Sequence, residues 1–201
     1  MIERNISIKK ELKIFHASWN QNHLGGGITN SINILNNSIR EKGLTSEWIT
    51  SDRFNPIFAD RKLFQRLIEK DPSIVHIHGL WRSPTRIATK IEKYKIPYVL
   101  SPHGMLNPIA MSQSRLKKIL IWKLWEKKSL NFAKCFHALS LSEVHSIKKY
   151  FPDKNIALIP NGIDKTIHKK NSLPKPPWDK LIPKESKVLL FLSRYHNGKG
   201  I

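Results

Sequence analysis

Short apolar runs alternate with helix-patterned stretches from Leu12 to Pro160, and this alternation narrows the choice of fold more than any other feature. Residues 12–18, 46–50, 73–79, 96–100, 135–140 and 155–160 each read as a short strand. The clearest is Ser73-Ile74-Val75-His76-Ile77-His78-Gly79, where β-branched residues alternate and glycine ends the run. Between the strands, residues 28–43, 56–70, 81–94, 114–132 and 142–150 carry apolar side chains at helical spacing. A helix after each strand returns the chain to the same sheet edge, so neighbouring strands run parallel. The expected architecture is α/β, a parallel sheet with helices on both faces.

Size and composition fit one full domain and part of another. The chain has 201 residues and is 40% hydrophobic, enough for a packed core. No run is long and apolar enough to span a bilayer, and the charged opening residues lack the apolar centre of a secretory signal. A single cysteine, Cys135, excludes an internal disulfide and a cysteine-based zinc site, and suits a reducing cytoplasm. The formal net charge of +20 attracts polyanions. The lysines are dispersed and no nucleic-acid-binding module is present, which ranks phosphorylated substrates and an anionic membrane surface above nucleic acid.

Candidate site residues gather where strands end. Ser101-Pro102-His103-Gly104-Met105 follows the run 96–100, which places His103 at the carboxyl end of a strand. In open parallel sheets ligands bind at that edge, and a histidine there can hold or move a proton near neutral pH. The competing reading is a buried histidine bonded to a loop. Gly25-Gly26-Gly27 joins the first strand to the first helix, with Thr29 and Asn30 as polar starters. Such a turn lets a ligand approach the backbone, or simply bends; it is neither a dinucleotide fingerprint nor a P-loop. His76 and His78 share a strand face, but no neighbouring carboxylate or cysteine completes a metal site, so they read as core or crevice histidines. Residues 114–132 form a long basic helix bearing Trp122 and Trp125, expected either to pack on the sheet with lysines in water or to rest on anionic lipid. Residues 165–186 have linker composition, and 187–194 read as a new strand. The expected division is 1–164 as one domain, 165–186 as linker and 187–201 as the opening of a second domain, so the chain reads as cut off.

The order of these motifs resembles the amino-terminal half of family 4 glycosyltransferases, retaining enzymes with two Rossmann-like domains in the GT-B arrangement. The residues that carry it are the Gly25–Gly27 loop, His76-Ile77-His78-Gly79, Ser101-Pro102-His103-Gly104, Ala138-Leu139-Ser140-x-Ser142-Glu143, Pro160-Asn161-Gly162-Ile163-Asp164 and Leu192-Ser193-Arg194-x4-Lys199-Gly200. The resemblance implies a Rossmann-like acceptor-side domain and transfer of a sugar from a nucleotide-sugar donor to a sugar or lipid-linked acceptor. It implies no metal and no cofactor, a role in bacterial surface polysaccharide or glycan synthesis, and a cytoplasmic place, peripheral on the inner membrane face. His103 would act at the transferred sugar, Gly25, Gly26, Gly27 and His78 would line substrate, and Arg194 and Lys199 would clamp the diphosphate. No Glu-x7-Glu pattern follows, so the polypeptide alone is expected to have little or no transferase activity, with a separate C-terminal half as one candidate partner. The alternative is a non-catalytic binding or membrane-docking module on the same fold.

Overall fold

A computed structural model describes residues 11–21, 26–55, 57–163, 175–176, 178–183 and 185–192. Six parallel strands form one sheet: β1 (Lys13–Ser18), β2 (Thr45–Thr50), β3 (Ile74–His78), β4 (Tyr98–Ser101), β5 (Cys135–Ala138) and β6 (Ile156–Leu158). Helices link them: α1 (Gly27–Glu41), α2 (Ala59–Glu69), α3 (Ser83–Lys93), then α4 (Pro108–Ser112), α5 (Arg115–Ile121) and α6 (Lys127–Phe132) before β5, and α7 (Leu141–Tyr150) before β6. The fold is Rossmann-like α/β. Contacts group the chain into one unit ending at Gly162 and a second from Ile163 onward.

Local chemistry sets the helix ends. Gly43 stops α1 at φ 77°, with its N–H bonded to the Arg40 carbonyl, the left-handed ending that glycine reaches without strain. Pro84 sits in the first turn of α3, where its missing N–H costs nothing. Ser140 caps α7 by accepting from the Glu143 N–H. The start of α1 differs from expectation. Its cap is Gly26, at φ 72° and ψ −150°, a conformation open essentially to glycine alone, while Thr29 is buried and makes no cap bond.

The strand order β2-β1-β3-β4-β5-β6 reverses direction at β1. The carboxyl ends of β1 and β3 therefore flank the crevice where open α/β sheets take their ligands. One face of the sheet is apolar: Phe15, Ala17, Val75, Ile77, Leu100 and Phe136 are buried against Leu63, Leu67, Ile87 and Ile91 of α2 and α3. Each of these side chains larger than alanine contributes about 1.5–3 kcal/mol on burial. The other face is not. Register pairs His16 with His76 and His78 with Ser101, and Ser18 and His137 join the same face. Helix α1 lies on this side, its Asn36 Oδ1 accepting from Ser46 Oγ at 2.8 Å. A face of a parallel sheet lined by histidine and serine departs from the usual near-continuous apolar run.

Two expectations are corrected. The stretch 114–132 is not one regular helix: a π turn, Trp122–Glu126, separates α5 from α6. The extra residue in that turn carries Glu126 into the protein, where it is fully buried and accepts from the Trp81 backbone N–H at 2.9 Å. Residues 187–192 form no strand, and Leu189 and Leu192 are exposed. An apolar run becomes a strand only when another strand satisfies its backbone groups, and no partner strand lies beside it among the described residues.

Candidate functional site

Five imidazoles from four strand ends meet at the carboxyl edge of the sheet. Two hydrogen-bonded chains connect them. In the first, His16 Nδ1 lies 3.0 Å from His78 Nε2, and His78 Nδ1 lies 3.0 Å from His103 Nε2. In the second, His76 Nε2 lies 2.7 Å from Ser101 Oγ, which lies 3.0 Å from His137 Nδ1. His137 Nε2 then donates to the Ile159 carbonyl at 2.8 Å. The His76 and His78 rings lie tilted at 34° to each other with centroids 4.0 Å apart.

Burial keeps four of these rings, His16, His76, His78 and His103, neutral. Desolvation lowers His16 and His103 to a pKa of about 4. His76 and His78 are pushed well below the ordinary value, by burial first and then by the neighbouring imidazoles. No carboxylate acts on any of the four, so nothing favours their charged forms.

His103 sits on a strained turn. It has φ 51° and the next residue, Gly104, has φ 76°. A non-glycine residue there costs of order 1–3 kcal/mol and persists only where its surroundings hold it. The holder is Glu143, buried at the start of α7. Its carboxylate accepts from the Gly104 N–H at 2.7 Å and from the Leu139 N–H at 2.8 Å, tying the turn after β4 to the turn after β5.

Two cavities open at this edge, and His78 lies in the wall of both. The smaller, about 240 Å³, is lined by His78, His103 and His137, by Ser31, Ile34, Leu35 and Ser38 of α1, and by Ile159 to Gly162. The larger, about 670 Å³, lies at the β1/β3 crossover and includes Ser18, Trp19, Gly79, Trp81, Arg82, Lys117 and Lys118. Its cations rest on aromatic faces: the Arg82 guanidinium is 4.7 Å from the Trp19 ring centre, and Lys118 Nζ is 5.6 Å from that of Trp81. A basic, partly aromatic cavity suits a ligand with both an anionic group and an apolar body.

The family model described as Glycosyltransferase Family 4 matches residues 30–166. The chain belongs to glycosyltransferase family 4. No curated protein matches it. Within this family 4 chain the match covers His76, His78, His103, His137 and Glu143, while His16 and the glycine turn precede it.

Of the residues singled out in the sequence, the structure brings His78 and His103 into direct contact. Gly26 and Gly27 open α1, whose Ile28 reaches the larger cavity and whose Ser31 reaches the smaller. Neither glycine lines either cavity. Gly25, Arg194 and Lys199 lie outside the described residues. Sequence reasoning missed His16, His137, Ser101 and Glu143 as parts of the site. The available signal was strand parity, since a polar side chain recurring on one face of consecutive parallel strands marks a shared row.

His16, His76 and His78 are the one described group spaced for a metal ion, each with a ring nitrogen within 4.8 Å of the others. Hydrogen bonds engage His16 Nδ1, His78 at both ring nitrogens and His76 Nε2, and no carboxylate or thiolate joins the set. The rings fit a hydrogen-bonded network better than a coordination shell.

Proposed function

We propose that the protein takes part in sugar transfer from a nucleotide-sugar donor to a sugar or lipid-linked acceptor, in bacterial surface polysaccharide or glycan synthesis. The sheet edge described above holds the acceptor in the basic cavity and presents His103 to the transferred sugar. Departure of a nucleoside diphosphate builds negative charge, which fixed donors and cations stabilise without a metal. Arg194 and Lys199 fill that role in this reading. The observation that carries the proposal is His103, held strained by Glu143 and facing a cavity at the strand ends in a family 4 fold.

The test is transfer of labelled sugar from a panel of nucleotide sugars to a membrane lipid extract, using the gene product as cells make it. His103→Ala is expected to lower transfer by about 100-fold or more, the range for a lost positioned donor. No transfer from any donor when the chain is supplied together with a separate C-terminal half, or full activity in the variant, overturns the reading.

We also propose that the protein docks on an anionic membrane surface through α5 and the π turn. Leu116, Leu120 and Leu124 are 84%, 59% and 63% exposed, and Lys117, Lys123 and Lys127 flank them. No described element covers this stripe, and its charge complements acidic headgroups. No helix among the described residues is long and apolar enough to cross a membrane, so contact would be peripheral. Vesicles containing phosphatidylglycerol are expected to sediment the protein and phosphatidylcholine vesicles to leave it free, while Leu120→Asp with Leu124→Asp abolishes binding. Equal binding to both vesicle types contradicts the docking model.

A further inference from the structure

We infer that His16 and His78 fix the tautomer of His103, so that this residue turns an Nδ1–H donor, and not a bare nitrogen, toward the smaller cavity. The assignment follows from counting hydrogens along the hydrogen-bonded chains, the rings of His16, His78 and His103 being neutral.

The second chain has an anchor. The Ile159 carbonyl only accepts, so His137 carries its proton on Nε2 and its Nδ1 is bare. That bare Nδ1 accepts from Ser101. The single Ser101 hydroxyl hydrogen is then used, and its oxygen must accept from His76, which therefore also carries its proton on Nε2.

The chain from His16 through His78 to His103 has no carbonyl anchor and two directions. Its far end decides between them. His16 Nε2 is buried and has no partner among the described residues. If His103 Nε2 donates inward, the protons run along Nε2 of every ring, and His16 is left with a buried N–H that meets no acceptor. If His16 Nδ1 donates outward, the orphan is only a lone pair. His78 then donates from Nδ1 to His103 Nε2, and His103 keeps its own hydrogen on Nδ1. A buried N–H without an acceptor is the rarer and more costly defect. That cost outweighs the modest preference of a free imidazole for the Nε2–H form. His103 Nδ1 has no hydrogen-bond partner among the described residues, and His103 lines the smaller cavity.

The consequence deepens the transferase reading and rests on it: His103 donates to a substrate oxygen, a hydroxyl or a phosphate, and does not accept the acceptor's proton. His16 and His78 are positioning residues that act through His103. The tautomers themselves stand apart from activity, so a failure of the transferase reading and a failure of this inference are separable.

The experiment is long-range proton–nitrogen correlation of the ¹⁵N-labelled full chain at neutral pH, which reads the protonated ring nitrogen of each histidine directly. Expected are Nδ1–H for His16, His78 and His103, and Nε2–H for His76 and His137. His78→Phe, which keeps a ring of similar bulk, is expected to release His103 to the Nε2–H form. An Nε2–H pattern at His103 in the unaltered protein overturns the inference. So does an unchanged Nδ1–H in the His78 variant. The unaltered protein alone decides the tautomer if that variant fails to fold.

Discussion

Acidification from pH 7 to pH 4 is expected to unfold the sheet, with the transition falling between the ordinary histidine value of 6.5 and about 4. His16, His76, His78 and His103 are neutral in the folded protein and become cationic in the unfolded chain once the pH drops below 6.5. A folded pKa below the unfolded one gives stability that is complete above 6.5 and lost as the pH falls toward the folded value. One pKa step is worth about 1.4 kcal/mol, so fully buried His16 alone withdraws about 3 kcal/mol by pH 4. Native proteins have only about 5–15 kcal/mol in total.

One group pulls the other way. Burial raises Glu126 to about 7 despite its bonds from Trp81 and Thr85, so its neutral form is favoured in the fold. A raised folded pKa gives stability that is present at low pH and lost as pH climbs through 7, about 3 kcal/mol by the same conversion. Four depressed histidines outweigh one raised glutamate, and the net effect of acid is loss. Far-UV circular dichroism and the melting temperature across this range measure it. Glu126→Gln, which stays neutral, is expected to remove this opposing contribution, so that stability falls more steeply between pH 7 and pH 4 than in the unaltered protein. A native signal and an unchanged melting temperature at pH 4 contradict the buried, neutral cluster.

Glu143→Ala is expected to lower the melting temperature by about 6–12 °C and to release the His103 turn. The substitution strips the acceptor from two backbone donors, Gly104 N–H and Leu139 N–H. Both bonds are part-buried and go to a charged acceptor, a kind worth about 1.5–3 kcal/mol, so the pair costs about 3 kcal/mol, and about 2–4 °C follows per kcal/mol in a body of this size. The turn then keeps only the bonds from Met105 N–H to the Pro102 carbonyl and from Asn107 N–H to the Gly104 carbonyl, so the left-handed His103 backbone relaxes and the ring leaves its place beside His78. Glu143→Gln keeps one acceptor oxygen and turns an NH₂ toward the other donor, so it falls between. Thermal melts read the stability, and the His103 ring signals read the turn. A melting temperature within a degree of the unaltered protein removes Glu143 from this role.

The fold was legible because strand and helix periods differ and each strand ends in small or polar residues. Every expected strand from 12–18 to 155–160 is present, with ends displaced by at most two residues. The misses have tertiary causes. The π turn exists because Glu126 reaches Trp81, 45 residues away in sequence, and no local propensity records that. The run 187–192 has strand composition but lacks a partner among the described residues.

The site was half legible. His103 and His78 announce themselves by standing before glycine at strand ends. His16 and His137 stand inside apolar runs, and only the parallel register brings them to the same face. Ser140 and Glu143 have the spacing of a capping box, in which the glutamate would return to the cap residue's own N–H. In the structure that carboxylate reaches across to Gly104 instead, 39 residues away.

The central claim is that the carboxyl edge of this sheet, around His78 and His103, is where substrate binds. Backbone amide shift mapping of the ¹⁵N-labelled chain, titrated with nucleotide sugars and with a short-chain polyprenyl phosphate, tests it most directly. Shifts concentrated at Gly79, Trp81, Gly104 and Gly162 are the result this account requires. Shifts confined to the opposite edge, around Asp71 to Ser73 and Lys95, would contradict it.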